Sequence, residues 1–144
     1  GGLFGATDNC AYATVTASQT TTSTTWVAVV GTTVTVTTRG ALVCAKFNCA
    51  LLDAASGGNS AIGGFLFNGA YQDSMNDTRG YIAAEDPAGP IAQAGDSWEH
   101  CVTTRYASGT SVSAVAVFRS EGGGESATVN SEFQACQMEI CEKR

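Results

Sequence analysis

The chain has 144 residues, a net charge of −6, 44% hydrophobic residues and only 14% charged ones. That is the size of one domain with a real core. The acidic balance offers no basic stripe for a phosphate backbone and no electrostatic hold on anionic lipid, so neither nucleic acid nor a membrane surface is an expected partner. No run approaches the ~18 apolar residues of a membrane span, and the start at Gly1 fits removal of either an initiator Met or a leader.

Residues 1–9, GGLFGATDN, read as an N-terminal arm whose apolar anchors are Leu3 and Phe4; residues 10–144 read as a single β-sandwich domain. From Cys10 the chain alternates, with Ala11, Ala13 and Val15 against Tyr12, Thr14 and Thr16, a period-two strand. Strands follow around Trp26 to Val30 and at Val34 and Val36, with a bend at Gly31 between them and a turn at Arg39-Gly40. The run ALVCAKFNCALLD predicts a central strand. AIGGFLF predicts another, ended by a hairpin turn at Asn68-Gly69. A short strand is predicted over Gly80 to Ala84, a loop over PAGPIAQAGD, and a strand over SWEHC that leads to a turn at Ser108-Gly109. SVSAVAVFRS comes next, and one or two strands close the chain. Eight or nine strands separated by turn signals, with no convincing helix, predict an all-β antiparallel sandwich or barrel.

Six cysteines, Cys10, Cys44, Cys49, Cys101, Cys136 and Cys141, are scattered with no CxxC pair. They read as disulfide candidates rather than a metal site, which implies an oxidising, extracellular setting. Cys44 and Cys49 are five apart, as are Cys136 and Cys141, so each pair places one sulfur on either face of an unbroken strand. The outward member must then be covered or bonded to a neighbour. Fifteen connectivities remain open. The lone His100 precedes Cys101 directly, and adjacent strand residues face opposite ways, so a Cys–His nucleophile is not expected.

Chemistry is sparse. Asp53, Asp73, Asp77, Glu85, Asp86, Asp96 and Glu99 could supply an acid–base pair, but most sit in predicted loops where solvated carboxylates are the default. There is no GxSxG, no GxGxxG opening a helix and no Walker loop. Asn76-Asp77-Thr78 is a glycosylation sequon. Asp73, Asn76 and Asp77 do not have the spacing of a calcium loop. Trp26, Trp98, Tyr71 and Tyr81 are candidates for a sugar-stacking platform. No cofactor, no metal and no catalysis are expected.

Three stretches, TTSTTWVAVVGTTVTVTT, SWEHCVTTRYASGTSVSAVAVFRSEGGG and ATVNSEFQACQMEI, together resemble the compact jelly-roll modules of phage virion and bacterial surface structural proteins, broadly similar to the tumour-necrosis-factor and C1q fold. The resemblance spans about residues 18–140. It implies a jelly-roll-like sandwich of about eight strands and a structural, often trimeric or arrayed, role. The cysteines and the arm depart from the virion pattern and suit a secreted protein.

SVSAVAVF carries apolar residues on both faces: Ala114, Ala116 and Phe118 make one face apolar, while Val112, Val115 and Val117 put valines on both. WVAVV and ALVCAKFNCALL show the same excess. A patch left open would be an interaction site, so Val112, Val115 and Val117, with Leu3 and Phe4 of the arm, are the predicted assembly residues. The resulting expectation is a non-catalytic structural subunit that assembles with copies of itself into an extracellular fibre or pilus-like filament. The alternatives are a virion decoration or fibre-head protein, and a secreted module that binds glycans or cell surfaces.

Overall fold

A computed structural model describes residues 9–54, 59–84, 91–93, 97–122, 124–131 and 135–143. Leu3 and Phe4, and with them nearly all of the arm, lie outside the described residues. Among those described, all regular structure is antiparallel β and there is no helix.

One sheet runs β1 (Asn9–Val15), β13 (Cys136–Lys143), β5 (Leu42–Asn48), β10 (Ser97–Cys101). A second set in the same order continues it: β2 (Gln19–Thr21), β12 (Ala127–Asn130), β6 (Ala50–Ala54), β9 (Ile91–Gln93). The registers show the continuity. β13 pairs β5 as far as Gln137 opposite Asn48, and β12 resumes at Asn130 opposite Ala50. Likewise β1 ends with Val15 opposite Cys136, and β2 begins with Gln19 opposite Val129. The four rows are therefore interrupted at one level, where Cys49 alone separates β5 from β6. The opposing sheet sets β3 (Val27–Ala28) and β4 (Val34–Thr37) along β11 (Ser111–Ser120), followed by β7 (Ala61–Phe67) and β8 (Ile82–Ala84). Thirteen described segments thus fall into eight rows, four to each layer.

Alternation builds these strands. In β4, Val34 and Val36 are buried while Thr35 and Thr37 are exposed, and β-branched residues fit that half-buried pleat. The predicted central run becomes β5 and β6, with Val43, Ala45, Phe47, Cys49 and Leu51 all facing inward. They meet Phe65, Phe67, Val112, Ala114, Ala116 and Phe118 from the other layer in a single core cluster. Phe47 sets its ring edge-on to Trp98 at 5.1 Å. The predicted hairpin turn is present: Asn68 and Gly69 have φ of 51° and 76°, the pair of positive values that a type I′ turn requires. The loop predicted over PAGPIAQAGD instead contains β9. Its residues extend the β10 row and find free partners in β6, with Leu52 opposite Gln93.

The outer face of the second sheet has an intramolecular cover at one end. Val117 pairs with Gly64, and a Cβ on Gly64 would lie 2.7 Å from Met75 Cε and 3.6 Å from Trp26. Met75 and Trp26 therefore roof this part of the sheet. The indole Nε1 of Trp26 donates to the Asn76 carbonyl at 2.9 Å, and Arg119 donates to the Asp77 carbonyl at 2.6 Å with its guanidinium 5.8 Å from the Trp26 ring. This corrects part of the assembly expectation. Val117 is enclosed by the chain's own 70–81 segment, and Val112 belongs to the core, so neither needs a second copy to shield it. Val115 is only half-buried, in register with the half-buried Leu66.

Candidate functional site

A grouping of polar and aromatic side chains lies where β10 forms the edge of its sheet. Trp98 and His100 point inward there and Cys101 outward, as strand alternation demands. His100 stacks on Tyr81 with ring centroids 4.0 Å apart and planes at 5°, and it meets Phe67 at 6.5 Å. Across the rim, Asp73 Oδ2 pairs with His100 Nε2, while Asp73 Oδ1 accepts from the Thr103 hydroxyl. The Thr103 N–H adds a contact to Oδ2 at 3.3 Å. Asp73 has φ of 56°, a conformation Asp tolerates better than most residues, and this turns its carboxylate toward β10.

The electrostatics of the group follow from these contacts. The Thr103 hydroxyl, helped by His100 and against some burial, holds the Asp73 carboxyl below its ordinary range. The ionised carboxylate only accepts, so the proton between them sits on His100 Nε2. Burial, reinforced by the negative charge of Asp73, pushes the Tyr81 phenol up to about 12 and raises that of Tyr106 as well. Both phenols stay protonated at neutral pH, and the Tyr106 hydroxyl is buried without a hydrogen-bond partner among the described residues. What this arrangement does physically is bind the 70–81 segment to the β10 edge, with Asp73 as a latch.

A buried carboxylate closes the far end of the sandwich. Glu142 on β13 is fully buried. Burial alone would raise its carboxyl, but the Thr38 hydroxyl, the N–H groups of Ala41 (2.9 Å) and Arg39 (2.6 Å) and the Arg39 side chain (3.2 Å) more than compensate and hold it at about 2. The carboxylate thus supplies acceptors to the turn between β4 and β5. Nothing in the sequence singled it out. The alternating strand CQMEICE, with Cys136, Met138 and Ile140 inward, gives Glu142 an inward position, and only the fold shows which donors await it there.

All six cysteines are bridged: Cys10–Cys141, Cys44–Cys101 and Cys49–Cys136. Each five-residue pair has one sulfur on either face. Cys49 and Cys136 belong to the core cluster and bond to each other, whereas Cys44 and Cys141 lie on the outer face and bond to neighbouring strands. Asn76 is exposed. Its Oδ1 accepts from the Thr78 N–H and hydroxyl and from the Arg79 N–H, which leaves the amide nitrogen without a hydrogen bond among the described residues. The four aromatics proposed as a sugar platform do not come together. Trp98 is a core residue tied to the Gly64 carbonyl at 3.1 Å, and Tyr81 is absorbed in the His100 stack. Trp26 and Tyr71 remain at the surface segment, where the Tyr71 hydroxyl donates to Asp77 and that bond raises its pKa. Among the described residues there is no cluster of three or more metal-ligating side chains and no helix long and apolar enough to cross a membrane.

Fold and site define an all-β antiparallel sandwich stitched by three disulfides. A scan against protein-family models finds no match, and a search of curated proteins finds no similar sequence.

Proposed function

We propose that this chain is a non-catalytic structural subunit that works outside the cell and assembles with copies of itself. The observation that carries the proposal is the pairing of all six cysteines within one small domain, the economy of proteins built for oxidising, exposed surroundings. The order of the eight rows, first-eighth-third-sixth against second-seventh-fourth-fifth, supports the jelly-roll reading and its structural associations. The assembly surface is narrower than the sequence suggests. It consists of the outer face of the second sheet beyond the Met75 and Trp26 roof, where Val115 and Leu66 are half-buried, together with Val30, 76% exposed in the turn between β3 and β4. The filament reading adds the arm, with Leu3 and Phe4 docking on a neighbour.

Sedimentation velocity and electron microscopy of the purified chain test this. Open polymers that are lost in Val30→Glu and in a chain lacking residues 1–8 support the filament. Closed trimers would favour the virion alternative, and a monomer at every concentration would refute self-assembly.

A second reading, a secreted glycan-binding module, has its own observation. An open groove of about 370 Å³ is lined by Ile62, Thr78, Arg79, Gly80, Tyr81 and Ile82, and Trp26 borders it beside Gly80. A saccharide-dependent change in Trp fluorescence that disappears in Trp26→Phe would establish it; a flat titration across a glycan panel would remove it.

A further inference from the structure

Four of the six cysteines stand in a single line across the first sheet. Cys10 is opposite Cys141, Cys141 is opposite Cys44, and Cys44 is opposite Cys101. All four side chains lie on the outer face, and the two bridges, Cys10–Cys141 and Cys44–Cys101, are therefore side by side. Their inner members are the two that adjoin each other. Their outer members occupy the two edge strands of the sheet.

Exposure divides the row in the same way. Cys44 and Cys141 are each only 3% exposed, whereas Cys10 and Cys101 are half-buried. An external thiolate can therefore reach an outer sulfur but not an inner one. The spacing of the middle pair also fits a bond. In antiparallel sheets, close pairs and wide pairs alternate from one neighbour to the next, at about 4.5 and 5.5 Å between Cα atoms. The bridged pairs, at 4.1 and 3.9 Å, are of the close kind. Cys141 and Cys44 are then the wide kind, and about 5.5 Å is the commonest Cα separation across a disulfide.

From this row we infer that the first sheet conducts thiol–disulfide exchange from one of its edges to the other. A low-molecular-weight thiolate attacks Cys10 Sγ, forms a mixed disulfide there and expels Cys141 as a thiolate. Cys141 attacks Cys44 Sγ, forms the Cys44–Cys141 bridge and expels Cys101 as a thiolate at the opposite edge, where it takes up a proton. One external thiol is consumed and one protein thiol is released, two disulfides remain throughout, and there is no net oxidation or reduction. The reverse entry, at Cys101, releases Cys10 by the same steps. Exchange of this type proceeds by thiolate attack through mixed disulfides and depends on access to the attacked sulfur.

The test is to incubate the folded protein with reduced glutathione, quench with acid, alkylate, and map disulfides by mass spectrometry after cleavage at Arg39, Lys46 and Glu139, which places Cys10, Cys44 and Cys141 on separate peptides, each apart from Cys49, Cys101 and Cys136. The expected product carries glutathione on Cys10, a Cys44–Cys141 bridge and an alkylated Cys101, or its mirror image. Glutathione on Cys10 with Cys141 alkylated and Cys44–Cys101 intact would overturn the proposal, and so would the absence of any adduct. The Cys10→Ser/Cys101→Ser double variant gives an independent reading. It is expected to close Cys44–Cys141 under glutathione disulfide, with a mass two hydrogens below the dithiol; a persistent dithiol in the folded variant overturns the inference.

Discussion

The two sheets solve the same problem by different means. Each is apolar inside and must also settle its outer face. The first sheet carries two side-by-side disulfides on its outer face and a third on its inner face at the level where its rows are interrupted. The second has no disulfide and is roofed at one end by its own 70–81 segment, with Met75 and Trp26 packed over glycines. Covalent ties tolerate an open surface, whereas a packed roof needs close approach, so the second sheet has Gly64 beneath the roof and Gly80 in the roofing segment where the first sheet uses cysteine.

The largest test of this contrast is to remove the ties. Replacing Cys49 and Cys136, 87 residues apart in the chain, by a serine pair should cost about 2–5 kcal/mol by denaturant unfolding. The first sheet should lose hydrogen-exchange protection before the β7–β11 pair does. If both sheets lose protection together, the covalent ties serve the whole sandwich and the contrast fails.

Next comes the roof. A Cβ on Gly80 would sit 2.2 Å from the Gly63 carbonyl oxygen, a backbone atom that cannot turn aside, whereas on Gly64 it would meet only the flexible end of Met75. Gly80→Ala should therefore cost roughly 2–3 kcal/mol, at the upper end of overpacking, and Gly64→Ala about 1 kcal/mol or less. Equal losses for the two variants would show that the segment does not rest on the sheet as closely as described.

The smallest effects are those of acid. The Glu142 carboxyl is held at about 2 against an ordinary 4.5. A depressed carboxyl contributes stability above its unfolded value and loses it as pH falls through the folded one. Wild-type stability should therefore decline from about pH 4.5 toward pH 2, and Glu142→Gln should flatten that slope while starting lower at neutral pH. Asp73, also held low, latches the other end from a more exposed position, so Asp73→Asn should alter the acid limb less. A larger effect from Asp73 than from Glu142 would reverse the comparison of buried and rim carboxylates.

Much of this organisation was legible in the residues. Val/Thr alternation gave β4, the turn chemistry of Asn68-Gly69 gave the β7 hairpin, and the five-residue spacing of cysteines correctly assigned one sulfur of each pair to each face. The valines of β11 were misleading for a physical reason. Two apolar faces do demand two covers, but periodicity cannot say whether the second cover comes from another molecule or from a segment 40 residues earlier in the same chain. Here Met75 of that segment supplies it together with Trp26 from much earlier in the chain, and Gly64 and Gly80 make room. The pairing of His100 with Asp73 was hidden for the same reason. It joins positions 27 residues apart, and it depends on a positive φ at an aspartate that no local pattern announces.

The Cys10–Cys141 bridge has a mechanical consequence. It links two positions 131 residues apart in sequence, so whatever chain precedes Cys10 or follows Cys141 is joined through one covalent bond. Tension applied through those flanks passes along the bond and never loads the residues between them. A subunit pulled in this way would bear force as a rigid link, and its β-layers could be stretched open only after that sulfur–sulfur bond had been cut.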